Sequence, residues 1–166
     1  MFHMNIMSKK IILVSDNHYN GYVLKDIVNK HYDADYYLHC GDSEMPKEEI
    51  RPFVSVRGNN DRHFDLPKEM ILNIEGFNIL VLHGHGYVNS FTYSYIFDYL
   101  EKKNIDLVFF GHTHIYADFT HNNIRYINPG SCNYPRDGSY PSYAEIILNN
   151  GNIEVIKHTI EGGKLC

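Results

Sequence analysis

No run of apolar residues in this sequence approaches the roughly 20 that a membrane-spanning helix needs. Cysteine is scarce: Cys40, Cys132 and Cys166 are three in number and far apart. They form no CxxC pair, so neither a thiolate zinc site nor a disulfide framework is expected. Cys40 ends an apolar run and reads as a small buried hydrophobe. Basic residues are also in deficit: 15 Lys and Arg against 20 Asp and Glu give a formal net charge of −5. Duplex nucleic acid, which needs clustered Lys and Arg, is therefore not an expected partner. A small anionic substrate stays open, because a bound cation supplies positive charge locally. No secretion signal is read at the start, where Lys9 and Lys10 follow the apolar residues instead of preceding them. Linkers, repeats and low-complexity segments are missing too. The expectation is a cytoplasmic protein without membrane contact, with residues 1–10 a loose leader and residues 11–166 one domain. A chain of 166 residues can bury a core without disulfide staples.

The sequence does contain five short polar motifs, each at the end of an apolar run. Asp16-Asn17-His18 follows Ile11 to Val14, and Gly41-Asp42 follows Tyr36 to Leu38. Gly58-Asn59-Asn60-Asp61 follows Phe53 to Val56. His83-Gly84-His85 follows Ile79 to Leu82, and Gly111-His112-Thr113-His114 follows Leu107 to Phe110. Asp, Asn and His are oxygen and nitrogen donors for metals. Taken singly, each motif has a plain reading as a turn or a structural histidine. Their shared placement is the signal, because the ends of parallel strands can meet at one crevice.

The order of elements supports that placement. Ile11–Ser15, a helix capped by Asn20, Asp35–His39, a short helix over Pro46–Ile50, and Phe53–Val56 read as strand, helix, strand, helix, strand. Right-handed crossovers and a parallel sheet follow from that order. Glu69–Ile74 and Phe77–Leu82 read as a hairpin turned at Glu75-Gly76. Ser90–Lys103 has helical spacing, with Tyr93, Ile96, Phe97 and Leu100 on one stripe. The tail reads as short strands, with Asn149-Asn150-Gly151 a hairpin turn. The fold class expected is α/β, one domain with mixed parallel and antiparallel strands.

Seven candidate donors arise at the five strand ends: Asp16, His18, Asp42, Asn59, His83, His112 and His114. Seven exceeds the four positions of one tetrahedral zinc and suits two metals that share a carboxylate. In this order the motifs resemble the calcineurin-like metallophosphoesterase superfamily, which reads D-x-H, G-D, G-N-x-D, H, G-H-x-H. The small size, Asn60, Asn128-Pro129-Gly130-Ser131 and Pro135-Arg136 are most similar to its YfcE-like phosphodiesterase branch. The resemblance spans about Ile11 to Leu148.

The resemblance implies a four-layer fold, two mixed β-sheets packed face to face and flanked by helices. It implies two divalent metal ions, manganese first, with iron, zinc, cobalt or nickel as alternatives. Asp16, His18 and His114 would hold one ion, Asn59, His83 and His112 the other, and Asp42 would bridge both. A hydroxide between the metals would attack phosphorus in line in a small phosphodiester or phosphomonoester. Many family members place a His where this chain has Asn60, and an amide cannot be a general acid. Diesters with good leaving groups are then expected, or a proton donor from elsewhere, for which His85 is a candidate. Arg136 is a candidate contact to phosphate oxygens. Arg57 and Arg62 flank the third motif with the same two readings, phosphate contact or loop support. Two rivals stay open: a non-catalytic scaffold on the same fold, as in a eukaryotic retromer subunit, and a nuclease or nucleotide phosphatase of the same superfamily. The physiological substrate and a homo-oligomeric state are likewise open.

Overall fold

Strands buried on both faces lack polar alternation, and the apolar runs of this chain become such strands. The computed structural model describes residues 7–162 and 164–165. The chain opens with β1 (Lys9–Val14), α1 (Gly21–Lys30), β2 (Tyr36–His39) and β3 (Val54–Ser55). It continues with β4 (Glu69–Ile74), β5 (Phe77–Leu82), α2 (Ser94–Leu100) and β6 (Leu107–Phe109). It ends with β7 (Ala117–His121), β8 (Ile124–Asn128), β9 (Ser142–Asn149), β10 (Asn152–Glu161) and β11 (Lys164–Leu165).

The strands form two mixed sheets, ordered β11-β10-β9-β1-β2-β3 and β4-β5-β6-β8-β7. β1, β2 and β3 run parallel in the first. β5, β6 and β8 run parallel in the second. Alternation of side chains then sorts each apolar run between two cores. Ile11 and Leu13 meet Ile79, Val81, Leu107 and Phe109 between the sheets. Ile12 and Val14 face the other way and pack against Leu24 and Ile27 of α1. Leu80, Leu82 and Val108 pack against Ile96 and Leu100 of α2. The result is the expected layering of helix, sheet, sheet and helix.

Local chemistry sets the turns and caps. The Asn20 side chain accepts from Val23 N–H at 3.3 Å and starts α1. Glu75 and Gly76 both adopt positive φ, 51° and 82°, which matches the twist of a tight hairpin. Some expected boundaries shift. β1 starts at Lys9, where Lys9 and Lys10 pair with Leu148 and Ile147 of β9; of the rest of the expected leader, Met7 and Ser8 are exposed and lie outside any element, and residues 1–6 lie outside the described residues. Pro46–Ile50 is a turn, with Glu49 N–H on the Pro46 carbonyl, and not a helix. Five residues before a proline cannot offset the cost of helix nucleation. α2 starts at Ser94 and not Ser90, because Asn89 Oδ1 accepts from Phe91 and Thr92 N–H and closes a turn there.

A candidate metal centre where five loops meet

The loops after β1, β2, β3, β5 and β6 are stitched to one another before any donor is considered. Asp16 N–H bonds the Gly41 carbonyl, His18 N–H the Asp42 carbonyl, and Gly111 N–H the His83 carbonyl, at 3.0–3.1 Å. Two glycines permit this closeness. A Cβ on Gly58 would stand 2.1 Å from Asp42 Oδ1, and one on Gly111 would stand 2.0 Å from Ser15 Oγ. Asp16, His18, Asp42, Glu44, His112 and His114 all have positive φ. Such conformations cost on the order of 1–3 kcal/mol each and gather at functional sites. Asp and His tolerate them better than most residues.

Two histidines, His18 and His114, converge on Asp16. Asp16 is fully buried, and its Oδ2 accepts from Ser15 Oγ at 2.6 Å and His112 N–H at 3.1 Å. Its Oδ1 is buried and accepts no hydrogen bond. His114 Nε2 stands 3.3 Å from that oxygen and His18 Nε2 stands 3.9 Å from it. His18 Nδ1 donates to Glu44 Oε2 at 2.9 Å. His114 Nδ1 donates to the Tyr134 carbonyl at 2.6 Å. With Nδ1–H committed in both rings, each neutral imidazole turns the Nε2 lone pair inward. The two Nε2 atoms face each other at 3.2 Å.

A second group gathers around His83. His83 Nδ1 donates to the Cys40 carbonyl at 2.8 Å. Its Nε2 is 2.9 Å from Asn59 Oδ1, 3.4 Å from Asp42 Oδ2 and 3.9 Å from Asp16 Oδ1. Asn60 holds Asp42 twice, backbone N–H to Oδ1 at 2.8 Å and side-chain amide to Oδ2 at 2.9 Å. Buried Asp61 ties the loops together: Oδ2 accepts from Asp42 and Gly58 N–H at 2.7 Å, and Oδ1 from Glu44 N–H at 2.8 Å. The His112 ring sits edge-on to His83 at 5.2 Å between centroids.

Electrostatics favour the ionised carboxylates. Burial raises the Asp16 pKa, but contact with His114, the His83 charge and the Ser15 hydrogen bond outweigh it, and the net shift is downward. For Asp42, burial is again outweighed, by His83 and by both Asn60 hydrogen bonds, and the carboxyl lies well below its ordinary range. Burial lowers His83, but Asp42 and Asp16 raise it further, so the net shift is upward. Burial, with His83 and His85 nearby, pushes His112 down to about 4.

Six of the seven expected donors thus come together, with the His112 ring beside them. At this site, among the described residues, two groups place their donor atoms close enough together to hold an ion: Asp16, His18, His114 and Asp16, Asp42, His83. Asp16 belongs to both groups, and Asp42, the carboxylate expected to bridge, belongs to one, with its Oδ2 3.4 Å from His83 Nε2. The set fits divalent cations: an unpaired buried carboxylate oxygen, imidazole lone pairs aimed at it, and no thiolate.

His85 lies in a groove beside this centre, exposed, its ring 5.0 Å from that of His112. Arg136 is exposed on the loop after β8; its backbone N–H bonds the His114 carbonyl, and its side chain does not line the groove. Arg57 and Arg62 do line it. Glu44, the Tyr134 carbonyl and the Asn60 clamp on Asp42 escape a reading of the sequence. Glu44 carries a faint signal, a carboxylate two residues after Asp42. The Asn128–Ser131 segment is a brace: Asn128 Nδ2 donates to the Gly111 carbonyl, and Ser131 Oγ to the Asp16 carbonyl.

Comparison with known proteins agrees with this geometry. Residues 9–151 match the model of the calcineurin-like phosphoesterase superfamily domain. The probable metallophosphoesterase YsnB of Bacillus subtilis is 33% identical over 143 residues, 84% of this chain and 85% of that protein. A conserved uncharacterized protein of Streptococcus pneumoniae, a predicted phosphoesterase, superposes with a TM-score of 0.84 at 21% identity, covering 96% of this chain and 97% of that one. YfcE, a phosphoesterase from E. coli, shares the fold with a TM-score of 0.62 at 19% identity over 89% of this chain and 98% of its own. Vps29 of Entamoeba histolytica, solved with zinc, does so with a TM-score of 0.74 at 19% identity over 95% and 96%. By its motifs, its donor set and the span of the family match, the chain belongs to the calcineurin-like phosphoesterase superfamily.

Proposed function

We propose that this protein is a binuclear metal-dependent phosphoesterase that acts most readily on small phosphodiesters, with manganese the first ion to test. The observation that carries the reading is the buried, unpaired Oδ1 of Asp16, ringed by the Nε2 atoms of His114, His18 and His83. An acceptor left in that state costs about 1–3 kcal/mol or more, and a cation removes the cost. When bound, two divalent ions supply Lewis-acid polarisation of a phosphoryl oxygen and a water of lowered pKa.

The chain's own residues orient and balance that chemistry. Glu44, the Cys40 carbonyl and the Tyr134 carbonyl each pin one Nδ1–H, which fixes the tautomer and aim of His18, His83 and His114. Asp16 and Asp42 bring two negative charges against two divalent ions, so the centre stays net positive and attracts a phosphate ester. Asn60 has no proton to give at accessible pH, and its amide is occupied on Asp42. The exposed His85 imidazole in the adjoining groove is the group we assign to protonating a leaving oxygen. A scaffold role, as an alternative use of this fold, is disfavoured because no position of the donor set is lost. The unpaired Cys40 and Cys132 thiols support a reducing, cytoplasmic setting.

The test is metal analysis joined to a substrate panel. Purified protein should bind two manganese ions per chain and hydrolyse aryl phosphodiesters faster than aryl phosphomonoesters. Asp16→Ala should empty both sites, and Asp42→Ala should remove activity. Full activity of the Asp42→Ala protein, or no manganese-dependent hydrolysis of any ester, would sink the reading.

A further inference from the structure

One wall of the groove beside the metal centre carries three cations without partners. The groove encloses about 650 Å³ and includes Asn59 and His83 of the donor set. Arg57, Arg62 and Lys68 line it, in a chain whose net charge is −5. Among the described residues, none of these three side chains makes an ion pair or a hydrogen bond. Cations elsewhere are engaged: Lys10 lies 3.1 Å from Asp33 and 3.2 Å from Glu145, and Arg125 grips both oxygens of Asp118 at 2.8 Å. The one carboxylate that lines the groove, Glu69, is taken by the Tyr99 hydroxyl, at 2.8 and 2.9 Å from its two oxygens. Positive charge therefore stays in excess along this wall. Like charges gathered in a cleft repel one another and raise the local concentration of anions.

We propose that this wall binds a second phosphate, so that preferred substrates carry a phosphoryl group beyond the one that is cleaved. The proposal rests on the phosphoesterase reading of the neighbouring centre. Guanidinium forks match phosphate oxygens in pairs, and two of the three cations are arginines. Placement fixes the spacing. Arg57 precedes Gly58-Asn59, and Arg62 follows Asp61, so the loop that carries a metal donor and its clamp also carries both guanidiniums. That loop is anchored by Asp61 and by Arg57 N–H on the Pro67 carbonyl at 2.7 Å. A second phosphate would sit on a support that is rigid relative to the cleaved one.

Two esters with the same scissile bond and leaving group test this. Thymidine 5′-(p-nitrophenyl phosphate) has one phosphate, and its 3′-phosphorylated form has two. With manganese, the wild-type protein should favour the second by roughly tenfold or more in kcat/KM. In the Arg62→Ala/Lys68→Ala protein that preference should shrink to about twofold. Equilibrium binding of thymidine 3′,5′-bisphosphate to the manganese-loaded proteins supplies a readout independent of turnover, and should weaken by roughly tenfold in the same variant. A wild-type preference near one, or a preference and a bisphosphate affinity that survive both substitutions, overturns the inference. If neither ester is cut while bisphosphate binding still falls in the variant, the groove assignment stands and the phosphoesterase reading fails. Thermal melting and circular dichroism establish that the variant is folded, and Arg57→Ala offers a second, independent change on the same wall.

Discussion

Asn60 binds both carboxylate oxygens of Asp42, one through its backbone N–H at 2.8 Å and the other through its side-chain amide at 2.9 Å. The position where the family resemblance implies a histidine is therefore occupied by a residue that orients Asp42, a candidate metal donor. Hydrogen bonds to charged groups contribute about 1.5–3 kcal/mol. Asn60→Ala keeps the backbone bond and loses the other. Manganese affinity should drop roughly ten- to hundred-fold, and the metal-free protein should also lose stability, by up to about 1.5–3 kcal/mol. Asn60→His should gain on phosphodiesters with poor leaving groups and lose metal affinity at the same time. Calorimetric titration and a leaving-group series separate these effects. Unchanged metal affinity in Asn60→Ala would show that the clamp is idle.

Glu44 should matter to only one of the two ions. Its Oε2 accepts from His18 Nδ1 at 2.9 Å, and no other donor of the centre leans on its side chain. Glu44→Ala frees His18 to take the other tautomer, which would turn an N–H toward Asp16. Removing such a partner costs about 10–100-fold in metal affinity. A two-step manganese titration should show one step weakened and the other intact. Glu44→Gln retains an acceptor oxygen and should fall between the two. Equal loss at both steps would mean that Glu44 supports the loop and not the histidine.

His39 makes the fold sensitive to acid. It is fully buried, with Nδ1 accepting from Gly41 N–H at 2.9 Å and Nε2 donating to Asn17 Oδ1 at 2.8 Å. Protonating Nδ1 would break the first bond and bury a charge. Burial lowers the pKa to about 4, against a smaller upward pull from Asp16 and Asp61. The unfolded chain takes up the proton near pH 6.5 and the folded chain does not. The contribution is full above pH 6.5 and is lost as pH falls toward 4, about 3 kcal/mol in all. Urea unfolding between pH 7.5 and 4, in metal-free buffer, should give a shallower pH slope for His39→Gln than for the wild type. Parallel slopes would rule out His39 as the source.

The convergence of Asp16, His18, Asp42, Asn59, His83 and His114 was legible in the sequence because each sits in a polar motif at the end of an apolar run, and residue type alone marks it as a candidate metal donor. Doubly buried strands were legible as unbroken apolar runs, and the Glu75-Gly76 turn as a pair that accepts positive φ. What supports the donors was not. The carbonyls of Cys40 and Tyr134 orient two histidines, and any residue at those positions presents the same carbonyl. Glu44 and Asn60 act on partners that the fold chooses, 26 and 18 residues away. Which carboxylate lies in both groups of side chains depends on how the loops are set against one another, which motif order does not encode.

Gly111 tests whether close approach, and not backbone freedom, is what the centre demands of its glycines. A Cβ there would lie 2.0 Å from Ser15 Oγ, 2.8 Å from Asp16 Oδ2 and 3.0 Å from Ser15 Cβ. Gly138 is the opposite case, with φ at +78° and nothing within 4 Å of an added Cβ. Gly138→Ala should cost about 1 kcal/mol through backbone strain alone and leave metal binding as it is. Gly111→Ala must push Ser15 and Asp16 aside, at about 1–3 kcal/mol or more for overpacking. It should also weaken metal binding, because Asp16 serves both groups of donors. Adding Ser15→Ala removes the worst clash but also the hydroxyl that holds Asp16 Oδ2 at 2.6 Å. The double variant should therefore recover part of the stability and little of the metal affinity. Chemical denaturation and manganese titration on the three proteins measure both quantities. If Gly111→Ala were as mild as Gly138→Ala in both, the loops would have slack that the hydrogen-bond distances do not suggest.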